Sequence, residues 1–238
     1  MAFQQSNLQS LSNISHGFGG IDHADLAPGL FLCAQQHGAD IVEISHEHST
    51  GTLAADAVFT RSTRPVAVVT ADCLPILISS SKDRFVAAIH GGWKGLSGDI
   101  IARSLVALCE AGFDLKAMQV AIGPAIGPCC YEVDLPFIER LEQRHGQLWK
   151  GRVAPWSMNR ALSTSPAHSR APHTEGHPWL DLAAYCIYLL EDAGLDRSQV
   201  TTVEECTYCS SAGLGSYRRR GHKGEAKTFQ YSWIGLTS

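Results

Sequence analysis

Apolar and polar positions along the chain separate into short dense runs and longer amphipathic ones. Residues 66–70 (VAVVT), 74–79 (LPILIS) and 85–90 (FVAAIH) are nearly all apolar, rich in β-branched side chains and bounded by turn formers, which predicts buried strands. Ser80-Ser81-Lys82-Asp83-Arg84 predicts a hairpin-like turn between the last two. Residues 98–111 predict a helix with Ile101, Leu105 and Leu108 on one face and Gly112 as its stop. A strand over 119–123 follows, then a helix over 136–145. A further helix runs from an Asp181 cap to about Ala193, ended by Gly194. Strands near 200–204 and 229–236 close the chain. Helices and strands mix without strict alternation, which favours an α+β fold over a doubly wound sheet.

Two stretches break this pattern. GPAIGPCCYEV, from Gly123 to Val133, is so dense in Gly and Pro that it demands a specific irregular backbone. Residues 151–178 carry Pro155, Pro166, Pro172 and Pro178 among polar residues and read as a long surface loop.

Composition narrows the function classes. The 238 residues are 45% hydrophobic and 18% charged, ordinary for one globular domain over 1–238. A formal net charge of −4 argues against a general nucleic-acid binder. No uncharged run reaches the ~18 residues of a membrane span. The polar opening lacks the pattern of a signal peptide, so the expected location is the cytoplasm. There the eight cysteines are expected as thiols, metal ligands or catalytic groups rather than bridges. Cys109 and Cys186 lie in helical apolar patterns and read as core.

Candidate chemistry gathers where strands end. His37 precedes Gly38, Cys73 lies in TADCLP, and His90 ends an apolar run against Gly91 and Gly92. Two imidazoles and a thiolate suit zinc, and three protein ligands leave a fourth position open, the arrangement of a catalytic site. Bound zinc would lower the pKa of water toward ~7. The same Cys73 and His90 also allow a metal-free thiolate nucleophile with Asp72 in support. Other candidates weigh less. His46 and His48 share a strand face but read better as an exposed turn. Cys206 and Cys209 form a CxxC with no second CxxC to complete a structural zinc site, and the adjacent Cys129 and Cys130 read as structural.

TADCLPILI, HGGWKGL, GPAIGPCCYEV and SYRRRG, in that order from about Gln35 onward, resemble the YfiH family, also called laccase-domain or multicopper polyphenol oxidase proteins. The family's Q-x-H-G is met by Gln35, His37 and Gly38. Its A-D-C-x-P is met by Ala71, Asp72, Cys73 and Pro75, and its H-x-G-W-[RK]-G by His90, Gly92, Trp93, Lys94 and Gly95. The resemblance implies a four-layer α/β/β/α sandwich with mixed sheets and a catalytic zinc on His37, Cys73 and His90. It also implies phosphorolysis of adenosine, inosine, guanosine and methylthioadenosine, and deamination of adenosine. Purine nucleoside and phosphate are then the expected partners. Copper-dependent phenol oxidation is attributed to the family too, but only His46-Glu47-His48 offers a His-x-His pair, so copper is the lesser expectation. Relatives are also proposed to edit peptidoglycan precursors as amidases. A degenerate protein keeping fold and metal without turnover is a further alternative.

Within this frame Asp72 is either a proton donor or a group orienting a ligand. Arg218, Arg219, Ser216 and Lys94 are the candidate phosphate donors. The chain departs from the family pattern by reading as a shortened variant. It lacks the early arginine, and Gly224-Glu225 stands where Gly-Arg is usual.

Overall fold

A computed structural model describes residues 3–23, 26–163 and 170–237. The strands in chain order are β1 (Ile14–Phe18), β2 (Phe31–Leu32), β3 (Ile41–Ile44), β4 (Ala57–Thr60), β5 (Val66–Thr70), β6 (Leu74–Ser80), β7 (Val86–Gly91), β8 (Met118–Ile122), β9 (Trp156–Ser157), β10 (Trp179–Leu180), β11 (Val200–Thr202) and β12 (Gln230–Leu236). The helices are α1 (Ser6–Gln9), α2 (Trp93–Ser97), α3 (Ile100–Glu110), α4 (Leu135–His145), α5 (Leu182–Asp192) and α6 (Tyr217–Lys223).

Two mixed sheets face each other. One has the order β11-β8-β6-β7-β4-β3 and the other β1-β12-β5-β2. Strands β6 and β7 are buried along their whole length because they lie at the centre of the larger sheet, covered on both faces. Ile76, Ile78, Ile89, Val120 and Ile122 of that sheet pack under α3 and α5 through Leu105, Leu108, Leu189 and Leu190. The alternate residues Leu77, Val86, Ala88 and Ala121 pack against Phe18, Phe31, Val66, Val68 and Ile234 of the smaller sheet. The chain is therefore an α+β sandwich with mixed sheets, as its motifs imply.

The strongest apolar runs form the expected elements with ends shifted by a residue or two. Asp181 caps α5 by accepting from Ala184 N–H. The N-terminal strand β1 had no strand-like pattern, since ISHGF mixes polar and apolar residues. It forms because β12 supplies a partner along all five residues. Residues 218–220 are part of α6, capped by Ser216. In the long 151–178 stretch, Trp156–Ser157 forms β9, which pairs with β10 just beyond its end. Residues 164–169 of it, Pro166 included, lie outside the described residues. Cys186 is core, whereas Cys109 is exposed, on the outward side of α3.

Candidate metal centre and its pocket

The β6–β7 hairpin sets the site. Its register places Pro75 opposite His90 and Leu74 opposite Gly91. Cys73, the residue before β6, is then opposite Gly92. Alternation puts Cys73, Pro75 and His90 on one side of the sheet. His37 arrives from the loop between β2 and β3. The ligand atoms of His37, Cys73 and His90 all lie within 4.8 Å of one another. Among them His37 is exposed, Cys73 half-buried and His90 buried, so the cluster is open on the His37 side.

Asp56, which the sequence reading missed, organises two of the three. Its Oδ1 accepts from His90 Nδ1 at 2.7 Å and His37 N–H at 2.9 Å. Its Oδ2 accepts from Gly38 N–H at 2.7 Å and Gln36 N–H at 3.0 Å. These bonds hold His37 at a φ of 58° and leave the His90 Nε2 directed away from the carboxylate. Gln35 ties the same loop to β5, donating to Val69 C=O at 2.9 Å and accepting from Val69 N–H at 2.7 Å. The sequence signal for Asp56 was a lone carboxylate amid LAADAVF, directly before a buried strand.

The residues present fit a metal ion. A Cβ on Gly92 would stand 3.2 Å from Cys73 Sγ and 3.3 Å from His37 Cδ2, so only glycine leaves the ligands their space. A carboxylate on the far nitrogen of a histidine is the usual orienting partner of a metal-bound imidazole. Burial pulls His37 below the ordinary histidine range and, with Asp72 and Asp56 nearby, pushes the Cys73 thiol up to about 12. Without a cation Cys73 is thus a protonated thiol, and it has no hydrogen bond to either histidine among the described residues. That disfavours the metal-free nucleophile. Burial also pushes Asp56 up, but the bonds from His90, Gly38 and Gln36 outweigh it and hold the carboxyl below its usual range.

The cluster opens into a cavity of ≈ 770 Å³. Lys94, Arg220 and Lys227 line it, each beside an aromatic ring: Trp93, Tyr217 and Phe229. Of the four expected phosphate donors, Lys94 alone is on this wall. Arg219 is buried, and its guanidinium is spent on the carbonyls of Thr207, Tyr208 and Leu214 and on Glu225. Ser216 is the buried cap of α6. Arg218 donates to Glu132 C=O at 2.9 Å and lies over the Tyr131 ring. The helical turn that turns Arg218 and Arg219 aside brings Arg220 to the pocket.

Asp72 lines the cavity, yet its carboxylate accepts from Thr207 Oγ1 at 2.6 Å and Arg218 N–H at 2.7 Å, with no bond to His37 or His90. Asp56, not Asp72, bonds an imidazole of the cluster. Burial pushes the Asp72 carboxyl up, opposed by those hydrogen bonds. His46 is exposed and His48 half-buried in a turn, and no metal-ligating group forms around them among the described residues.

The family model for multi-copper polyphenol oxidoreductase laccase matches residues 20–233. The chain belongs to this family. A purine nucleoside phosphorylase, YlmD of Geobacillus stearothermophilus, is 31% identical over 83% of this chain and 70% of its own length. An adenosine deaminase, RL5, from an unknown prokaryotic organism is 28% identical over 66% of this chain and 53% of its own. The purine nucleoside phosphorylase of Xylella fastidiosa strain 9a5c is 29% identical, and the match spans 61% of that protein. The matched stretch thus covers between half and seven-tenths of these relatives. The crystal structure of G. stearothermophilus YlmD superposes with a TM-score of 0.74 at 23% identity, covering 96% of this chain and 93% of that one. Bacillus licheniformis YfiH gives 0.72 at 22%, covering 94% and 93%. These structures share the fold.

Proposed function

We propose that this family member is a zinc-dependent purine nucleoside phosphorylase with adenosine deaminase activity. The observation that carries the reading is the open His37–Cys73–His90 set at the base of a cavity walled by three cations and several aromatic rings. The names of the relatives point to the same chemistry. A volume of ≈ 770 Å³ is in the range of small-molecule sites and accommodates a nucleoside with phosphate.

His37, Cys73 and His90 would hold the metal, and Asp56 would fix the His90 imidazole in the tautomer that presents Nε2. When bound, the metal supplies Lewis-acid polarisation and water activation at neutral pH. Zinc is preferred over copper because a mixed thiolate and imidazole set with one open position matches catalytic zinc. Trp93, Tyr131 and Phe229 offer faces for a purine ring. Lys94, Arg220 and Lys227 bind phosphate and the charge that develops as the glycosidic bond breaks. Asp72 holds the pocket wall through Thr207 and Arg218 rather than touching a ligand.

Adenosine, inosine, guanosine and methylthioadenosine are incubated with zinc-loaded protein, with and without phosphate. Ribose 1-phosphate formation that requires phosphate, together with inosine from adenosine, is the expected result. No product from any of the four nucleosides sinks the reading. The double variant Lys94→Ala, Lys227→Ala is expected to raise the phosphate KM by about tenfold or more while sparing deamination, since each lost charged hydrogen bond is worth roughly 1.5–3 kcal/mol.

A further inference from the structure

A second group of sulfur ligands lies outside the pocket. Cys129 and Cys130 sit on the Gly/Pro-rich turn after β8, and Cys206 and Cys209 on the turn after β11. All four are buried, with their sulfurs within 4.8 Å of one another. From this geometry we infer that Cys129, Cys130, Cys206 and Cys209 form a closed tetrathiolate site for a structural zinc ion.

The absence of a second CxxC is no obstacle, because the first turn supplies the other half. Cys130 N–H and Tyr131 N–H both donate to Gly127 C=O at 2.9 Å. That tight turn frees adjacent side chains from the opposite-face rule of a strand. Cys206 is held beside the first turn by a parallel bridge to Ala125, and Ser210 N–H donates back to Cys206 C=O at 2.9 Å. Cys129 Sγ and Cys209 Sγ are 3.8 Å apart. A tetrahedron with zinc–sulfur bonds of about 2.3 Å has edges of about 3.8 Å. A disulfide needs about 2.0 Å.

The surroundings are those of thiolates. Gly127 N–H donates to Cys206 Sγ at 3.3 Å, and Ser163 Oγ lies 3.0 Å from Cys209 Sγ. Hydrogen bonds of this kind to metal-bound sulfur orient it and spread its charge. Each ligand turn also has a guanidinium on its carbonyls. Arg160 donates to Cys129 C=O at 2.7 Å, and Arg219 to Thr207 and Tyr208 C=O at 2.6 and 2.9 Å. Arg219 is neutralised by Glu225, so Arg160 is the guanidinium that stands where four thiolates and one divalent ion leave a negative balance.

The site also answers a packing deficit. The four cysteines belong to neither main core. They share a small buried cluster of Ile126, Cys129, Cys130, Ala171, Cys206, Tyr208 and Cys209, in which four of seven residues are cysteine. Such a cluster has little apolar area with which to hold two irregular segments, and a metal is the usual staple there. The staple is aimed at the pocket. Ile126 N–H donates to Asp72 C=O at 3.0 Å, and Thr207 holds the Asp72 carboxylate. A cavity of ≈ 290 Å³ lined by Gly127, Pro128, Cys129 and Cys206 gives an ion a way in.

The test is metal content of full-length protein purified under reducing conditions, as wild type and as a His37→Ala, His90→Ala variant that disables the first cluster. One equivalent of zinc per chain that persists in this variant is expected. Its cobalt-substituted form is expected to show the intense thiolate-to-metal absorption of four sulfur ligands. Cys206→Ser in the same background is expected to lose that equivalent. Should this protein fail to fold, the count and the cobalt spectrum of the parent variant still decide. Absence of metal from the His37→Ala, His90→Ala variant, iron in place of zinc, or an intact mass showing paired disulfides would overturn the site.

Discussion

His37, Cys73 and His90 come from three separated segments and grade from exposed to buried. Cys129, Cys130, Cys206 and Cys209 come from two turns and are buried together. The first set is held rigidly by its neighbours before any ion arrives. A hairpin register fixes Cys73 and His90, and a carboxylate with four donors fixes His37. The second set has few apolar contacts of its own and depends on its ligands to stay together. An open trio on a stiff sheet suits turnover, and a closed quartet on loops suits support. The difference is one of surroundings as much as of ligand type.

The largest effect expected from this contrast separates chemistry from stability. His90→Ala should lower nucleoside turnover at least about a hundredfold while leaving thermal unfolding within a few degrees of wild type, read by paired kinetics and calorimetry. A large loss of stability with turnover preserved would reverse the roles of the two clusters.

Cys206→Ser should do the opposite in kind. Its Tm should drop by about 10 °C, roughly 3 kcal/mol for a chain of this size, and wild-type protein treated with a strong chelator should show the same drop. Turnover measured well below the new Tm should fall less than in His90→Ala.

Asp56→Asn should be milder than removing a ligand. A 10–100-fold weaker metal affinity at the His37 cluster is expected, with turnover restored by added zinc. An affinity equal to wild type would show that the His90–Asp56 bond serves packing alone.

At neutral pH the smallest expected effect comes from a group that touches neither cluster and acts only as the solution turns acid. His16 is buried in β1, where its Nε2 accepts from Gln5 N–H at 3.0 Å, and burial lowers its pKa from 6.5 to about 4. Between pH 6.5 and 4 the unfolded chain binds a proton there that the folded chain does not. Stability is therefore lost as the pH falls through this window. His16→Gln should flatten that part of the stability profile in urea titrations, so that acid release of metal from the two clusters can be read without it.

Much of this was legible along the chain. The dense apolar runs at 66–70, 74–79 and 85–90 became β5, β6 and β7, because burial on both faces demands uninterrupted apolar sequence. The short turn between the last two made a hairpin, and a hairpin brings Cys73 to His90. Residue type beside Gly38 singled out His37 along with them, and motif resemblance selected the same three. What escaped was set by partners distant in sequence. Strand β1 exists through its pairing with β12, more than 200 residues away.

The arginine run shows the same limit at a site. The sequence offered Arg218 and Arg219 as phosphate donors but could not say which arginine of 218–220 faces the pocket. The helical turn of α6 and the Glu225 partner of Arg219 decided that, leaving Arg220 beside Lys94 and Lys227. Sequence alone determined the buried strands, the hairpin and, through its motifs, the trio of His37, Cys73 and His90, because these rest on local periodicity and on residue type. Only the tertiary structure decided that Asp56 orients His90 and that four scattered cysteines meet. Those facts depend on side chains 34 and about 80 residues apart converging in space, and such convergence leaves no mark in local order.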